Sequence, residues 1–312
     1  MNRTTLYFLL KTALAIAAIG YLIHLVEVDR LVETAATAEA EWIVAALALL
    51  PLNLLLEGAS WHLLVQHEVP DVRWRSSYTS LLAGHALGLP TPARLGEYAG
   101  RAFALAHHRR GTLMALVFTD HLVAKTIGVS VGLAALGYYL NAYAPAPVLL
   151  WQAVAVYGIC ALAALLLIVL FPRRVYRVIC KLLPFERLQE GLRFLQALRT
   201  RRMLLLLVLA LLRYGVFSLQ FVLLLRAFAP MASLFTAYAG IALVFFTKFL
   251  LPMVTLLDLG IREGAAVYFL GQLGYAEAAA FNAAFLLFCI NLLAPAAVGL
   301  PFVFRLKIGP SG

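Results

Sequence analysis

Charge is scarce in this chain: only 13% of its 312 residues are Asp, Glu, Lys or Arg, about half the share in an ordinary soluble domain. With 63% hydrophobic residues and a mean hydropathy of +0.91, that deficit excludes a solvated globular protein. Cysteine is almost absent. Cys160, Cys180 and Cys289 form no C-x-x-C pair, so they read as small apolar fillers rather than a disulfide framework or a thiolate metal site. The sequence also lacks a G-x-x-x-x-G-K-[ST] phosphate loop, a G-x-S-x-G elbow and an H-E-x-x-H helix, which removes the usual signatures of nucleotide and hydrolase chemistry. No cofactor and no metal site is predicted, and His107-His108 beside Arg109-Arg110 reads as a solvated loop. Strand-like alternation is missing too. Leu204–Leu212 and Ala161–Leu170 are apolar on every face, which suits membrane helices and not barrel strands.

What the chain does have is a series of apolar blocks, and a membrane crossing needs roughly 20 such residues. Six segments qualify: 5–26, 42–65, 112–139, 147–171, 203–228 and 278–304. The first is too long for a signal-peptide core, and the only nearby small-residue triplet, Ala36-Thr37-Ala38, lies too far downstream; an uncleaved anchor is predicted. Two further apolar regions, 77–106 and 232–272, are broken in the middle by proline and charge: Leu89-Pro90-Thr91-Pro92-Ala93-Arg94, and Leu251-Pro252 through Arg262-Glu263. Proline removes a backbone donor and clashes with the preceding turn, so each region is expected to be two half-helices joined by irregular backbone.

The net charge of +10 follows topology, not nucleic acid. Basic residues flank the first broken region on both sides, so it should open and close on the cytoplasmic face; the second is flanked by sparsely charged loops. Over the whole chain this arrangement puts 17 Lys/Arg and 4 Asp/Glu inside, 2 and 6 outside, with the rest within membrane segments. Cytoplasmic loops collect Lys and Arg, so both termini are expected in the cytoplasm of a bacterial inner-membrane protein. The reading is an all-α, polytopic, single membrane domain over 1–312. It has six full crossings and two re-entrant hairpins, arranged as a first repeat (5–139) and an oppositely oriented second repeat (147–304). Inverted repeats with broken helices near the midplane are a transporter architecture; ordinary packing kinks are the alternative. Residues 172–202, basic with apolar residues at helical spacing, are expected to lie on the inner leaflet, either recognising lipid or simply connecting the halves.

Charges inside the membrane are costly, about 3 kcal/mol each on insertion scales, and so face a partner or a wet cavity. The candidates are Glu57, Arg94, Glu97, Arg101, Asp120, Lys125, Arg213, Lys248, Asp258, Arg262 and Glu263, six basic and five acidic, with His121 beside Asp120. Arg94, Glu97 and Arg101 fall three and four residues apart, on one face of a helix starting inside the membrane. Its free N–H groups favour an anion, and arginine grips phosphate with paired hydrogen bonds. An Arg-Glu-Arg clamp that only staples the hairpin to its neighbours fits the same spacing. Gly96 would let backbone or ligand approach closely. Arg262 and Glu263 point about 100° apart on a helix, so one can face a cavity while the other pairs elsewhere. A proton relay through Asp120, His121 or Glu57 is a further reading.

Leu89-Pro90 followed by Arg94-Leu95-Gly96-Glu97 and Arg101, then Pro252 and Gly260-Ile261-Arg262-Glu263-Gly264, resembles the lysylphosphatidylglycerol synthase transmembrane region. Its members are flippase-like membrane proteins found alone or fused to an aminoacyl-transferase domain. The resemblance implies a lipid-translocating core containing Arg94, Glu97, Arg101, Arg262 and Glu263. It also implies that this chain, without a synthase domain, does not itself make an aminoacylated lipid. The leading expectation is a transporter moving an anionic or polyprenyl-phosphate-linked lipid between leaflets. The alternative is a membrane enzyme, or the membrane subunit of an enzyme modifying lipid head groups in an aminoacyl-phospholipid or polyprenyl-phosphate-glycan pathway; an accessory subunit of a separate synthase or glycosyltransferase is the third.

Overall fold

The computed structural model describes residues 28–91, 94–105, 110–143, 148–182, 200–230, 233–250 and 260–304. The expected first crossing (5–26), Pro92, Pro252, Asp258, His107-His108 and most of the basic connector lie outside the described residues. All regular structure among those described is helical. In chain order the helices are α1 (Val28–Ala36), α2 (Ala40–Ala48), α3 (Leu50–Glu68), α4 (Trp74–Gly88), α5 (Leu95–Phe103), α6 (Arg110–Ala142) and α7 (Val148–Leu170). They continue with α8 (Pro172–Leu182), α9 (Thr200–Phe228), α10 (Leu234–Leu250), α11 (Ile261–Gln272), α12 (Glu277–Phe288), a π-helical turn (Cys289–Leu293) and α13 (Ala294–Val303).

Among the described residues four helical rods are long and apolar enough to cross a membrane: Ala40–Glu68, Arg110–Ala142, Arg201–Phe228 and Glu277–Val303, of 29, 33, 28 and 27 residues. At 1.5 Å per residue each exceeds the roughly 30 Å of a hydrocarbon core. Shorter apolar stretches occur at Gln152–Ala164, within the 23-residue α7, and at Leu234–Leu250. The exterior is apolar and the interior holds charge. Leu149, Ile159, Val208, Leu212 and Val298 are exposed, whereas Glu57, Glu97, Arg101 and Arg262 are buried. A water-soluble protein reverses this distribution; the chain is a multi-pass membrane protein.

Helices α4 and α5 fold back on one another as a hairpin. Proline-rich backbone ends α4, and Thr91 ties the two arms together. Its hydroxyl donates towards the carbonyls of Leu87 (3.1 Å) and Gly88 (3.0 Å) and accepts the Gly96 N–H (2.8 Å), capping α5. The arms approach closely because glycines line the seam. A methyl group on Gly100 would sit 2.7 Å from both the Ala83 carbonyl oxygen and the Gly84 Cα, and one on Gly96 would meet the Leu87 carbonyl. Close approach at Gly96 therefore serves backbone within the hairpin. At about 22 Å and 13 Å for 15 and 9 residues, neither arm is long enough to cross alone.

Helices α10 and α11 also pack against each other, and their junction, 251–259, lies outside the described residues. Both second arms start alike. Arg94, before α5, has φ 53°, and Gly260, before α11, has φ 98°; a glutamate follows each by three residues, Glu97 and Glu263. Arg94 is the only non-glycine residue with positive φ among those described, a conformation costing about 1–2 kcal/mol for an ordinary side chain. Between the halves, α4 packs on the C-terminal α13, and α10 packs on α6.

Candidate functional site

Arginine 101 lies at the centre of a buried charge network. Its side chain is fully buried. Its NH2 reaches Glu57 Oε1 at 2.5 Å and also bonds Glu97, while NH1 lies 3.4 Å from Asp120 Oδ2. Its guanidinium also sits over the Trp61 ring, 5.6 Å from the centroid. From Arg101 the contacts close into a ring. Glu57 Oε2 meets His85 Nε2 at 3.1 Å, His85 Nδ1 meets Arg94 NH2 at 3.0 Å, and Arg94 NH2 meets Glu97 Oε2 at 3.0 Å. Glu97 then returns to Arg101. The ring draws one residue each from α3 and α4, two from α5, and Arg94 from the break, so it locks the hairpin to the crossing helix α3.

Two further contacts lead outward. Arg213, from the middle of α9, bonds Glu57 Oε2 at 2.8 Å, and His121, from α6, approaches Glu97 Oε1 at 3.2 Å and the Tyr98 hydroxyl at 3.1 Å. Removing one member of a buried pair typically costs about 3–5 kcal/mol because the other charge is stranded. Shared among several partners, the charges here stabilise one another instead of standing alone in hydrocarbon.

One side of this network opens on a cavity of about 170 Å³. Its wall carries Glu57, His85, Arg94, Glu97, His121, Lys125, Arg213 and Lys248, with Asn53, Tyr98, Tyr214 and Asn291 among the polar neighbours and Phe217, Phe249 and Leu292 among the apolar ones. Four basic side chains face two carboxylates there. The remaining charged members of the network, Arg101 and Asp120, stand behind the wall and offset each other. Asn53 donates to Asn291 at 2.6 Å and accepts from Arg213 at 3.4 Å, linking α3, α9 and the π-turn. Such turns frequently mark functional positions within helices. A single water needs only about 10–15 Å³ by the same measure, so the cavity has room for a group of phosphate size.

The sequence candidates thus divide. Glu57, Arg94, Glu97, His121, Lys125, Arg213 and Lys248 line one cavity. Arg101 and Asp120 support it from behind. Arg262 and Glu263 lie elsewhere and pair with each other, NH2 to Oε1 at 2.6 Å, rather than dividing between a cavity and another segment as their angular separation implied. A long guanidinium side chain can curl back to its neighbour. Glu263 also accepts the Gly260 N–H at 2.8 Å, capping α11, and Arg262 lies over Phe288. His85, Asn53 and Asn291 were not singled out from the sequence. Among the described residues no cluster of three His, Cys, Asp or Glu is placed to hold a metal ion.

No curated protein matches the chain significantly. The family model described as the lysylphosphatidylglycerol synthase TM region matches residues 8–299, nearly the full length and including both proline-broken regions. The chain belongs to the lysylphosphatidylglycerol synthase TM region family.

Proposed function

We propose that this protein moves a lipid with an anionic, phosphate-containing head group between the leaflets of a bacterial inner membrane. The observation that carries the reading is the cavity, with Arg94, Lys125, Arg213 and Lys248 on its wall among membrane-length helices. Arg94 and Arg213 are partly exposed, at 20% and 27%, and reach the cavity from the buried carboxylates they pair with, so their remaining donors are available to an anion. The head group enters the cavity while the acyl chains stay against the apolar exterior. Arg94 and Arg213 grip the phosphate, and Arg101 keeps their carboxylate partners in place.

The same reading takes the chain as two inverted repeats with six crossings, two hairpins dipping into the bilayer and cytoplasmic termini. Exchanging the two halves maps the α4–α13 packing onto α10–α6 and the Arg94–Glu97 helix start onto Gly260–Glu263. Such symmetry supports alternating access around a central site.

The test is translocation of fluorescent phosphatidylglycerol in proteoliposomes, read by dithionite quenching. Wild type is expected to expose inner-leaflet lipid far faster than empty vesicles, and Arg213→Gln to lose at least tenfold of that rate. Equal rates with and without protein would remove the transport reading. The family description itself motivates a second reading, a membrane partner of a lipid-aminoacylating synthase; it predicts co-purification with such an enzyme and no translocation by the chain alone.

A further inference from the structure

The Arg94–His85–Glu57 contacts admit only one protonation state of the histidine. A guanidinium has donors and no acceptor, so His85 Nδ1, 3.0 Å from Arg94 NH2, must offer a lone pair. The single ring hydrogen then sits on Nε2 and donates to Glu57 at 3.1 Å. His85 is neutral in this arrangement. A second proton can enter only at Nδ1, where it would point at Arg94. Protonation and the Arg94 contact exclude each other.

We propose that the cavity takes up its anion together with a proton, and that His85 Nδ1 is where the proton binds. This inference rests on the anion-binding reading above. An incoming phosphate oxygen draws Arg94 off the imidazole; the freed lone pair accepts a proton, and the new N–H donates to the same anion. No covalent bond changes, and one proton is added per anion bound. Arg94 is the arginine within reach of the cavity: its side chain is 20% exposed, unlike that of its fully buried neighbour Arg101. His85 is only 3% exposed, so the proton has to arrive through the cavity.

Among the described titratable groups at this site, His85 is the one whose free lone pair is covered by a cation that the anion would draw away. From α3 comes Glu57, already paired with Arg101 and Arg213; from α5 come Glu97, in ion pairs with Arg94 and Arg101 and in contact with His121, and Arg101 itself. Helix α13 brings no titratable residue, and the π-turn brings only Cys289 beside Asn291. Across the cavity stand His121, Lys125, Arg213 and Lys248, with Asp120 behind. His121 spans Glu97 and the Tyr98 hydroxyl, and among the described residues no arginine covers its ring nitrogens, so its protonation is not coupled to Arg94.

By linkage, proton uptake on binding makes the affinity fall as pH rises, by up to about tenfold per unit for one proton. The experiment is calorimetric titration of the detergent-solubilised full chain with dihexanoyl phosphatidylglycerol, at pH 6, 7 and 8 and in buffers of different ionisation enthalpy. Wild type is expected to take up as much as one proton per lipid and to bind more tightly at pH 6 than at pH 8. His85→Gln keeps the donor towards Glu57, and His85→Asn keeps an acceptor near Arg94; each should remove proton uptake and flatten the pH profile, while His121→Gln retains both. Wild-type binding without proton uptake overturns the proposal and leaves the anion site standing, as does uptake that persists in both His85 variants or vanishes only in His121→Gln. No wild-type binding at any pH removes the anion site and this inference together.

Discussion

At the scale of single residues, the basic side chains have separate tasks set by their burial. Arg101 has no exposure and three carboxylate partners, so its contribution is to fold. Arg101→Met removes the guanidinium that Glu57, Glu97 and Asp120 share. Glu57 keeps His85 and Arg213 and Glu97 keeps Arg94 and His121, while Asp120 loses its ion pair. The expected loss is about 3 kcal/mol, measured by thermal unfolding in detergent. Arg101→Lys should recover little, because one ammonium cannot reproduce a planar fork. Arg213, 27% exposed, shares Glu57 with Arg101 and His85; its removal should leave the melting temperature near wild type while lipid movement falls. Much of this division was legible before the fold. The cost of an intramembrane charge singled out Glu57, Asp120, Lys125, Arg213 and Lys248, and spacing put Arg94, Glu97 and Arg101 on one face. His85, Asn53 and Asn291 escaped because a neutral polar side chain in an apolar helix costs much less than a charge and carries no periodic signature. The motif likens Arg262 and Glu263 to the first hairpin's charges, whereas tertiary packing pairs them with each other away from the cavity.

At the scale of elements, the α4–α5 hairpin works as one unit because its seam is made of backbone. The substituent that a Gly100→Ala change adds would meet the Ala83 carbonyl oxygen and Gly84 Cα at 2.7 Å. Backbone cannot rotate away as a side chain can, so a destabilisation of about 1–3 kcal/mol is expected. Gly215→Ala, in α9 with nothing within 4 Å, should be close to neutral in the same melting experiment. Proline position announces the first break, and the basic residues on both of its flanks carry the expectation that the chain turns back there. Sequence alone did not reveal the positive-φ start shared by Arg94 and Gly260, since nothing in an arginine codes for a left-handed conformation; the surrounding contacts impose it.

At the scale of the whole molecule, an apolar exterior surrounds a charged centre where α3, α6, α9, α10 and the hairpin meet. The hydropathy pattern was enough to identify helices of crossing length and a multi-pass membrane protein. Which of their faces meet was not readable, because an all-apolar helix has no sequence stripe to say which side touches protein and which touches lipid. The central claim is that a phosphate head group sits inside the protein, among the basic residues of that cavity. Photo-crosslinking with a phosphatidylglycerol carrying a head-group diazirine, mapped by mass spectrometry, addresses it most directly. Labels concentrated on the peptides containing Arg94, Lys125, Arg213 and Lys248, and competed away by unlabelled anionic lipid, are the expected result. Labels confined to the lipid-facing surfaces of α7 and α9, indifferent to that competition, would contradict it.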